Sequence, residues 1–417
     1  MDTGKNIEIV HHEECRICGG KKLDKFLHLP NMPFTDDFIT QNHFGQEFRA
    51  DLEIFICCDC LTAQTLHDVD VTGYYEDYQY SVGESLIANR FMKLIAENLQ
   101  QTYYPSEKSR KILEVGSGDG EQLLAFKEAG CQVLGYEPSS SLCKIARAKG
   151  IPTIQELFSS SSFSTLPKEF KEVDVVILSY TFDHLPNPRS FLADCKSVLN
   201  KENGLLVVEV HDLEKVVERK EYCLFEHEHS IYLTEHTAKE LCKIEGFDII
   251  NFNLVDKKNR RANSLIFVAT PVGSNLSSQS VASKTPLNFL KLDYYQQIGD
   301  GIRQGIANLE AFVDNLVESG KSLAGYGAGG RGVMTLAAMK NAYKFRYIVD
   351  RKPKGLNLMT PKSGVELVGI EALTREPVDE ILVFSYGYME EIHKELEPLG
   401  YDSTRLHSLL DILTGKF

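Results

Sequence analysis

Short apolar runs alternate with stretches of helical spacing from about position 110 onward. The runs that predict buried strands are KILEVG, QVLGYE, VDVVILSY and GLLVVEV. The helix-like stretch EQLLAFKEAG lies between the first two of them. Apolar strands that alternate with helices are typical of a parallel sheet with crossover connections. The pattern therefore predicts an α/β domain in the middle of the chain.

A second α/β unit is predicted nearer the C-terminus. The polar segment GSNLSSQSVASKT (273–285) reads as a linker or exposed loop. Residues 293–319 have the spacing of a long amphipathic helix, and KSLAGYGAGGRG, FRYIVD and EILVFSYGY follow. The segment before the first α/β unit is richer in loops and strands. We predict domains at residues 1–85, 86–275 and 276–417.

Length and charge restrict the function. A chain of 417 residues is too long for one hydrophobic core. The net charge of −14 argues against a nucleic-acid surface, although an anionic small molecule needs only a few local donors. No apolar run is long enough to span a bilayer, and MDTGKNIEIV has no apolar signal region. We expect a cytoplasmic protein without membrane or nucleic-acid partners.

The N-terminal cysteines form two CxxC pairs, CRIC and CCDC. Each pair can present two thiolates, and four thiolates suit a tetrahedral, structural Zn²⁺ with no open coordination position. Cys58 is the spare thiol of the second pair. Four reduced cysteines without a metal are the alternative. The predicted zinc ligands are Cys15, Cys18, Cys57 and Cys60.

The first glycine turn, LEVGSGDGEQL, follows a predicted strand. Its spacing is GxGxG, and acids stand before the first glycine (Glu114) and at the end of the next strand (Glu137). This pattern predicts S-adenosylmethionine, with Glu114 orienting the amino acid part and Glu137 accepting the ribose hydroxyls. A nicotinamide or flavin site, or a turn without a ligand, is the alternative. The candidate cofactor-binding residues are Glu114, Gly116, Gly118, Gly120, Glu137 and Tyr180.

The stretch FEHEHSIYL (225–233) concentrates acids and imidazoles. A helical zinc site requires histidines at i and i+4, whereas His227 and His229 are at i and i+2. The apolar flanks disfavour a merely solvated face. In an extended segment, alternation places both histidines on one side and Glu226 and Glu228 on the other. The interpretation we favour is a general base, one imidazole with a carboxylate behind it.

A second glycine turn, GYGAGGRG, has GxGxxG spacing after a predicted strand and before a helix. Asp350 ends the next strand. Taken alone, the turn indicates either a dinucleotide site or a structural turn without a ligand.

In combination, CxxC…CxxC, LEVGSGDG, FDHLPNP, EHEHSIYL and GYGAGGRG resemble the zinc-containing, S-adenosylmethionine-dependent sugar C-methyltransferases. These enzymes methylate C3 of nucleotide-linked 4-keto deoxysugars. The resemblance covers nearly the whole chain, in the same order of segments. It implies a zinc-binding module, a central class I methyltransferase (Rossmann-like) domain and a second Rossmann-like α/β domain.

The resemblance also implies roles for individual residues. His229 would remove the C3 proton with Glu228 as its partner, and His184 would be a second active-site imidazole. Tyr78 or Tyr80, in YYEDYQYS, would line the site. Such chemistry requires a base for the carbon and a donor for the carbonyl oxygen, which a tyrosine or His184 would supply.

The resemblance gives the second glycine turn a different function, which is to hold the nucleotide of the sugar donor. Backbone amides at the helix start would meet the pyrophosphate with the help of Arg331, and Tyr386 or Tyr388 would contact base or sugar. The candidate nucleotide-binding residues are Gly325, Gly327, Gly330, Arg331, Asp350 and Tyr386.

Two departures from the family bear on the substrate. Glu226 stands where the family usually has tyrosine, and RANSLI replaces a GGSLR-like stretch. The expected partner is a dTDP- or GDP-linked 4-keto sugar, and the resemblance implies a monomer. O-methylation of a sugar, or nucleotide-sugar binding without methylation, is the alternative.

Overall fold

The computed structural model describes residues 7–35, 37–69, 86–105, 109–261, 263–351, 353, 355 and 357–416. Tyr78 and Tyr80, the predicted tyrosine contacts, lie outside these residues.

The N-terminal part is built on a small antiparallel sheet. In β4 the side chains alternate between the core and the surface, so that Leu52, Ile54 and Ile56 are buried. Strands β2, β4 and β5 pair antiparallel, and β1 pairs separately with β6. The strands are β1 (Ile9–His11), β2 (Leu23–Met32), β3 (Ile39–Thr40), β4 (Ala50–Cys57), β5 (Ala63–Gln64) and β6 (His67–Val69).

The central α/β domain contains a seven-stranded sheet of order β13-β14-β11-β10-β7-β8-β9. Strands β7 to β11 are parallel, and β14 joins antiparallel to β11. The strands are β7 (Lys111–Val115), β8 (Gln132–Tyr136), β9 (Thr153–Ile154), β10 (Val175–Ser179), β11 (Leu205–His211), β12 (Ile231–Tyr232), β13 (Phe247–Asn251) and β14 (Ser264–Pro271). The helices are α1 (Leu86–Tyr103), α2 (Glu121–Glu128), α3 (Ser140–Ala148), α4 (Pro188–Val198), α5 (Leu213–Glu218) and α6 (Glu235–Ile244).

The C-terminal domain is a second α/β unit, as predicted. Its strands are β15 (Leu323–Tyr326), β16 (Ile348–Val349), β17 (Leu358–Met359), β18 (Glu366–Val368), β19 (Glu380–Val383) and β20 (Leu406–Ser408). Its helices are α7 (Leu292–Glu318), α8 (Gly330–Ala338), α9 (Ala372–Arg375), α10 (Met389–Leu396) and α11 (Leu409–Thr414). Helix α7 confirms the predicted long helix, and the predicted linker at 273–285 is a loop with one short 3₁₀ turn, Ser277–Gln279. Neither α7 nor any other helix in the described ranges is long and apolar enough to cross a membrane.

Two short strands cross the predicted domain limits. Strand β12 of the central domain joins the N-terminal sheet, in the order β12-β5-β4-β2. Strand β3 of the N-terminal part pairs with β17 at the edge of the C-terminal sheet. One hydrophobic cluster also spans all three parts, because it includes Phe26, Phe225 and Leu336. The domain limits therefore stay a prediction, and the three parts share a core around the segment that carries EHEH.

Candidate active site

The first glycine turn forms an open cradle at the carboxyl end of β7. Gly116, Gly118 and Gly120 have φ of +69°, +53° and +79°, a left-handed conformation that glycine adopts without strain. A Cβ built on Gly118 would meet nothing within 4 Å, whereas one on Gly116 would collide with Thr181. The backbone at Gly118 is therefore accessible to a ligand, and the turn lies directly against the segment that follows β10.

Two acids flank this cradle in the register that the sequence predicts. The carboxylate of Glu137 accepts hydrogen bonds from the backbone N–H of Gly118 and of Ser139, each at 2.8 Å. Glu114 is buried, and its Oε2 has no hydrogen-bond partner among the described residues. Burial, together with the charges of Asp119 and Glu137, raises the pKa of Glu114 well above its usual value. A buried acceptor of this kind fits a cationic or N–H-donating ligand group, such as the amino group of S-adenosylmethionine.

Replacing Glu137 with alanine should weaken S-adenosylmethionine binding about 10- to 100-fold, because one or two hydrogen bonds to a charged acceptor are lost. Isothermal titration calorimetry measures the change. Glu128→Gln, at an exposed position at the end of α2, is the matched control. Unchanged affinity in Glu137→Ala would exclude this carboxylate as the ribose acceptor.

The four predicted zinc ligands converge. Each of Cys15, Cys18, Cys57 and Cys60 offers a sulfur within 4.8 Å of the other three. The Cys15–Cys60 and Cys18–Cys57 sulfur pairs are both 3.5 Å apart. Zn–S bonds of about 2.3 Å in a tetrahedron place sulfurs roughly 3.8 Å apart, so the cluster fits Zn²⁺. Cys58 is partly exposed and does not belong to this cluster.

The EHEH segment is a turn, so the expectation that alternation places both histidines on one side is wrong. The N–H of His229 donates to the carbonyl of Glu226 at 3.2 Å, which closes the turn. His227 points into the N-terminal part, where its Nδ1 meets Nε2 of His67 at 2.9 Å and its Nε2 meets the carbonyl of Met32 at 3.0 Å. Burial lowers the pKa of His227 to about 4. His227 therefore ties the turn to the N-terminal sheet.

His229 is buried, and its geometry suits a base. Its Nδ1 lies 3.0 Å from the carbonyl of Leu224 and therefore carries the proton, so Nε2 holds the lone pair. Burial and the neighbouring His184 lower the pKa of His229 to about 3, so it is neutral at physiological pH. The Glu226 carboxylate lies 3.8 Å from Nε2, while Glu228 Oε1 accepts from Thr35 at 3.5 Å. Glu226, which stands where the family usually has tyrosine, therefore places a carboxylate beside the imidazole of His229.

Two further imidazoles surround His229. The His184 ring lies edge-on to it, with centroids 4.5 Å apart, and the His211 ring is 5.1 Å away. Nδ1 of His211 is 2.8 Å from Oδ2 of buried Asp183. Neither Asp183 nor His211 was among the predicted site residues. The available signal was position, because His211 is the last residue of β11 and Asp183 lies shortly after β10, at the carboxyl ends of parallel strands where ligands bind in such folds.

Arg261, another residue that the prediction missed, stands in the stretch that departs from the family. Its guanidinium forms an ion pair with buried Glu209 at 2.9 Å and lies 4.9 Å from the ring centroid of Tyr180. Tyr180 has φ of +50°, an uncommon conformation for a non-glycine residue. The Tyr180 ring also lies 4.6 Å from that of His211. Tyr180, predicted as a cofactor contact, therefore lies between the glycine turn and the histidines.

The second glycine turn faces the EHEH segment. Gly330 begins α8, and a Cβ added there would lie 3.3 Å from Oε1 of Glu226. Arg331 forms an ion pair with buried Glu221 at 3.4 Å, and its guanidinium lies 5.6 Å from the ring centroid of Tyr386. Gly325 lies within β15, Gly327 follows this strand with φ of +98°, and Asp350 follows β16. The predicted nucleotide-binding residues thus cluster around the carboxyl ends of β15, β16 and β19, and the start of α8 lies next to Glu226.

Comparison with known proteins follows the same three parts. Family models match a zinc binding domain at residues 15–75, a methyltransferase domain at 86–251 and a C-methyltransferase C-terminal domain at 272–406. The C-methyltransferase NovU of Streptomyces niveus is 22% identical over 391 residues, which are 91% of each chain. An uncharacterized methyltransferase of Bacillus pumilus is 30% identical over 28% of this chain and 49% of that protein. Among solved structures, the PH0226 protein from Pyrococcus horikoshii covers 48% of this chain and is itself covered to 98%, at 17% identity and a TM-score of 0.38.

These matches confirm the predicted cofactor and metal module, and the protein is an S-adenosylmethionine-dependent methyltransferase. More narrowly, the chain combines a zinc binding domain with a C-methyltransferase C-terminal domain and is similar over 91% of its length to a C-methyltransferase.

Proposed function

We propose that this enzyme methylates C3 of a nucleotide-diphospho-4-keto-deoxysugar in the cytoplasm, with His229 as the general base. One connection carries the proposal. The short segment after β10 begins at the glycine cradle, where Thr181 touches Gly116, and ends at His184, whose ring packs against His229. The segment from Thr181 to His184 therefore connects the site for the methyl donor with the base that would deprotonate the acceptor carbon.

The chemistry uses a neutral base in a dry site. S-adenosylmethionine supplies an electrophilic methyl group on a sulfonium. Nε2 of His229 takes the proton from C3, and the electrons of that C–H bond form an enolate whose negative charge lies on the C4 oxygen. C3 then attacks the methyl carbon, and the C4 carbonyl is restored. Since His229 is buried and neutral at physiological pH, it accepts the proton without prior loss of its own.

The second glycine turn supports a nucleotide-linked sugar as the acceptor. Its helix start faces Glu226, which in turn lies beside His229, so a sugar reaching the base extends toward backbone N–H groups at the start of α8. Arg331 lies at the same point with part of its side chain exposed, although it also neutralises Glu221. We assign the diphosphate of the substrate to the start of α8, and its nucleobase or ribose to the neighbourhood of Tyr386.

Product masses test the proposal directly. The purified enzyme is incubated with S-adenosylmethionine and a panel of dTDP- and GDP-linked sugars, with and without a 4-keto group. A gain of one methyl on 4-keto sugars alone, together with exchange of the C3 proton for deuterium in D2O, is the expected result. A methyl gained by a sugar without a ketone would establish O-methylation instead. Cofactor binding without transfer to any sugar would show that Glu226 and RANSLI mark a different acceptor.

A further inference from the structure

The mechanism above leaves one requirement open, namely a proton donor for the C4 oxygen. The enolate carries its charge there, and an uncompensated oxyanion in a buried site is costly. The donor must hold a proton at the pH where the base does not. Three imidazoles meet at the site, so their environments decide which one does so.

His184 and His229 both resist protonation. Burial is the largest influence on each and lowers the pKa of both. They are suited to accept a proton or to act as neutral neighbours, but not to carry a positive charge into the reaction.

His211 is in a different environment. Its Nδ1 lies 2.8 Å from Oδ2 of Asp183, and 18% of its side chain is exposed. Burial alone would raise the pKa of Asp183, but the hydrogen bond with His211 and the nearby imidazoles hold it below the usual value. Asp183 is therefore ionised, and the His211 ring is the imidazole directly bonded to this carboxylate. A buried carboxylate that orients an imidazole and stabilises its protonated form is a recurrent catalytic device.

We propose that His211 is a catalytic acid, held by Asp183, whose Nε2–H donates to the C4 carbonyl oxygen while His229 removes the C3 proton. The inference rests on the proposed function. With Nδ1 committed to Asp183, Nε2 is the free end of a ring that lies next to Tyr180 on one side and His229 on the other. An acid and a base on adjacent rings can act on neighbouring atoms of one substrate.

The proton balance closes. His229 gains the C3 proton, and the C4 oxygen gains or shares the proton of His211. When C3 attacks the methyl group, the C4 carbonyl re-forms and the proton returns to His211, while the sulfonium becomes a neutral thioether. His229 releases its proton to solvent after product leaves. No oxidant or further reactant is required.

Loss of the His211 side chain should therefore slow both steps that involve the enolate. His211→Ala is expected to lower the rate of C3 deuterium exchange and kcat for methyl transfer about 10²- to 10³-fold, with KM changed little. Asp183→Asn should have a similar effect, because the ring loses its orientation and its counter-charge. His211→Gln retains an N–H donor and should recover about tenfold of the loss. The readouts are exchange followed by NMR and initial rates of transfer on the sugar that wild-type enzyme methylates.

The division of the loss between kcat and KM, together with the recovery in His211→Gln, separates an acid from a residue that only supports the fold. The charged and titratable groups around the two rings are Asp183, His184, His229, Tyr180, Glu226 and the Glu209–Arg261 pair. None of them is altered in His211→Gln, so a recovered rate reports the N–H donor at position 211 itself.

His407→Asn is the matched control, because His407 also pairs with a buried carboxylate, Glu380 at 2.7 Å, but lies in the C-terminal sheet. Each variant is first shown to bind S-adenosylmethionine and to keep its melting temperature. Wild-type rates in His211→Ala, no recovery in His211→Gln, or an equal loss in His407→Asn would overturn the inference alone. A second equivalent of bound metal per chain that disappears in Asp183→Asn would also overturn it, because Asp183 would then hold a metal rather than orient an acid. Absence of C3 exchange in the wild type would overturn the proposed function with it.

Discussion

Replacing His229 with alanine should lower methyl transfer by about 10³-fold while leaving S-adenosylmethionine binding intact. The variant should also lose deuterium exchange at C3, because the only change is removal of the group that takes this proton. Neutral general bases in a positioned site contribute factors of about 10² to 10⁴, and no second neutral imidazole replaces His229 at the same point. His184 lies edge-on to it, with ring centroids 4.5 Å apart, and so approaches any substrate carbon from another side.

Three measurements define this experiment. Product masses give the transfer rate, NMR in D2O gives the exchange rate, and calorimetry gives the cofactor affinity. His236→Ala, on helix α6 and outside the site, is the control for removal of a partly buried histidine from the same stretch of chain. Transfer near the wild-type rate in His229→Ala would exclude this residue as the base. Loss of exchange with retained transfer would show that methylation does not pass through an enolate.

The sequence predicts the parts of the site that are local in the chain. The glycine turn, its two acids and both CxxC pairs are each defined within a few residues, and strand ends place them without knowledge of the wider fold. The same holds for helix α7, whose apolar spacing persists over 27 residues. These features agree between pattern and structure because short-range geometry determines them.

The features that the sequence could not provide depend on contacts between distant segments. The Asp183–His211 pair arises because β10 and β11 are neighbours in the sheet, which no motif around either residue records. The EHEH segment forms a turn in which His227 contacts His67, a residue of the N-terminal part. A period-2 argument assumes a strand, and β12 begins only at Ile231. Two-residue strands such as β3 have no periodicity from which a pairing could be predicted.

Loss of the zinc site should abolish activity although the metal is distant from the chemistry in sequence. Cys57→Ser is expected to remove about one equivalent of zinc per chain and much of the roughly 10 kcal/mol that such a metal contributes to folding. The N-terminal sheet should then lose its cooperative unfolding transition, and methyl transfer should fall below detection. Metal analysis, calorimetric melting and product masses measure the three effects. Chelation of the wild-type metal should reproduce them, because the variant and the chelator remove the same constraint.

The coupling follows from a short series of contacts. The side-chain amide of Gln64 donates to Cys15 Sγ at 3.1 Å, while the backbone of Gln64 pairs with Ile231 in β12. The neighbouring Thr65 donates through its hydroxyl to the carbonyl of His229 at 3.1 Å. The zinc cluster therefore holds β5 in place. Strand β5 and the adjacent Thr65 in turn position His229 and strand β12. A base displaced by about 1 Å costs on the order of 10²-fold in rate even when the fold survives.

Cys58→Ser is the control that the chain itself provides, since Cys58 lies between two ligands but outside their cluster. It should keep its zinc, its melting temperature and its activity. Full activity in Cys57→Ser after loss of its metal would show that the N-terminal sheet positions His229 without zinc. The ion would then stabilise only the N-terminal part that binds it. If Cys57→Ser lost activity but kept the fold, displacement of the EHEH turn would be the cause. Restoration of transfer by added zinc in the chelated wild type would then confirm that the metal positions the base.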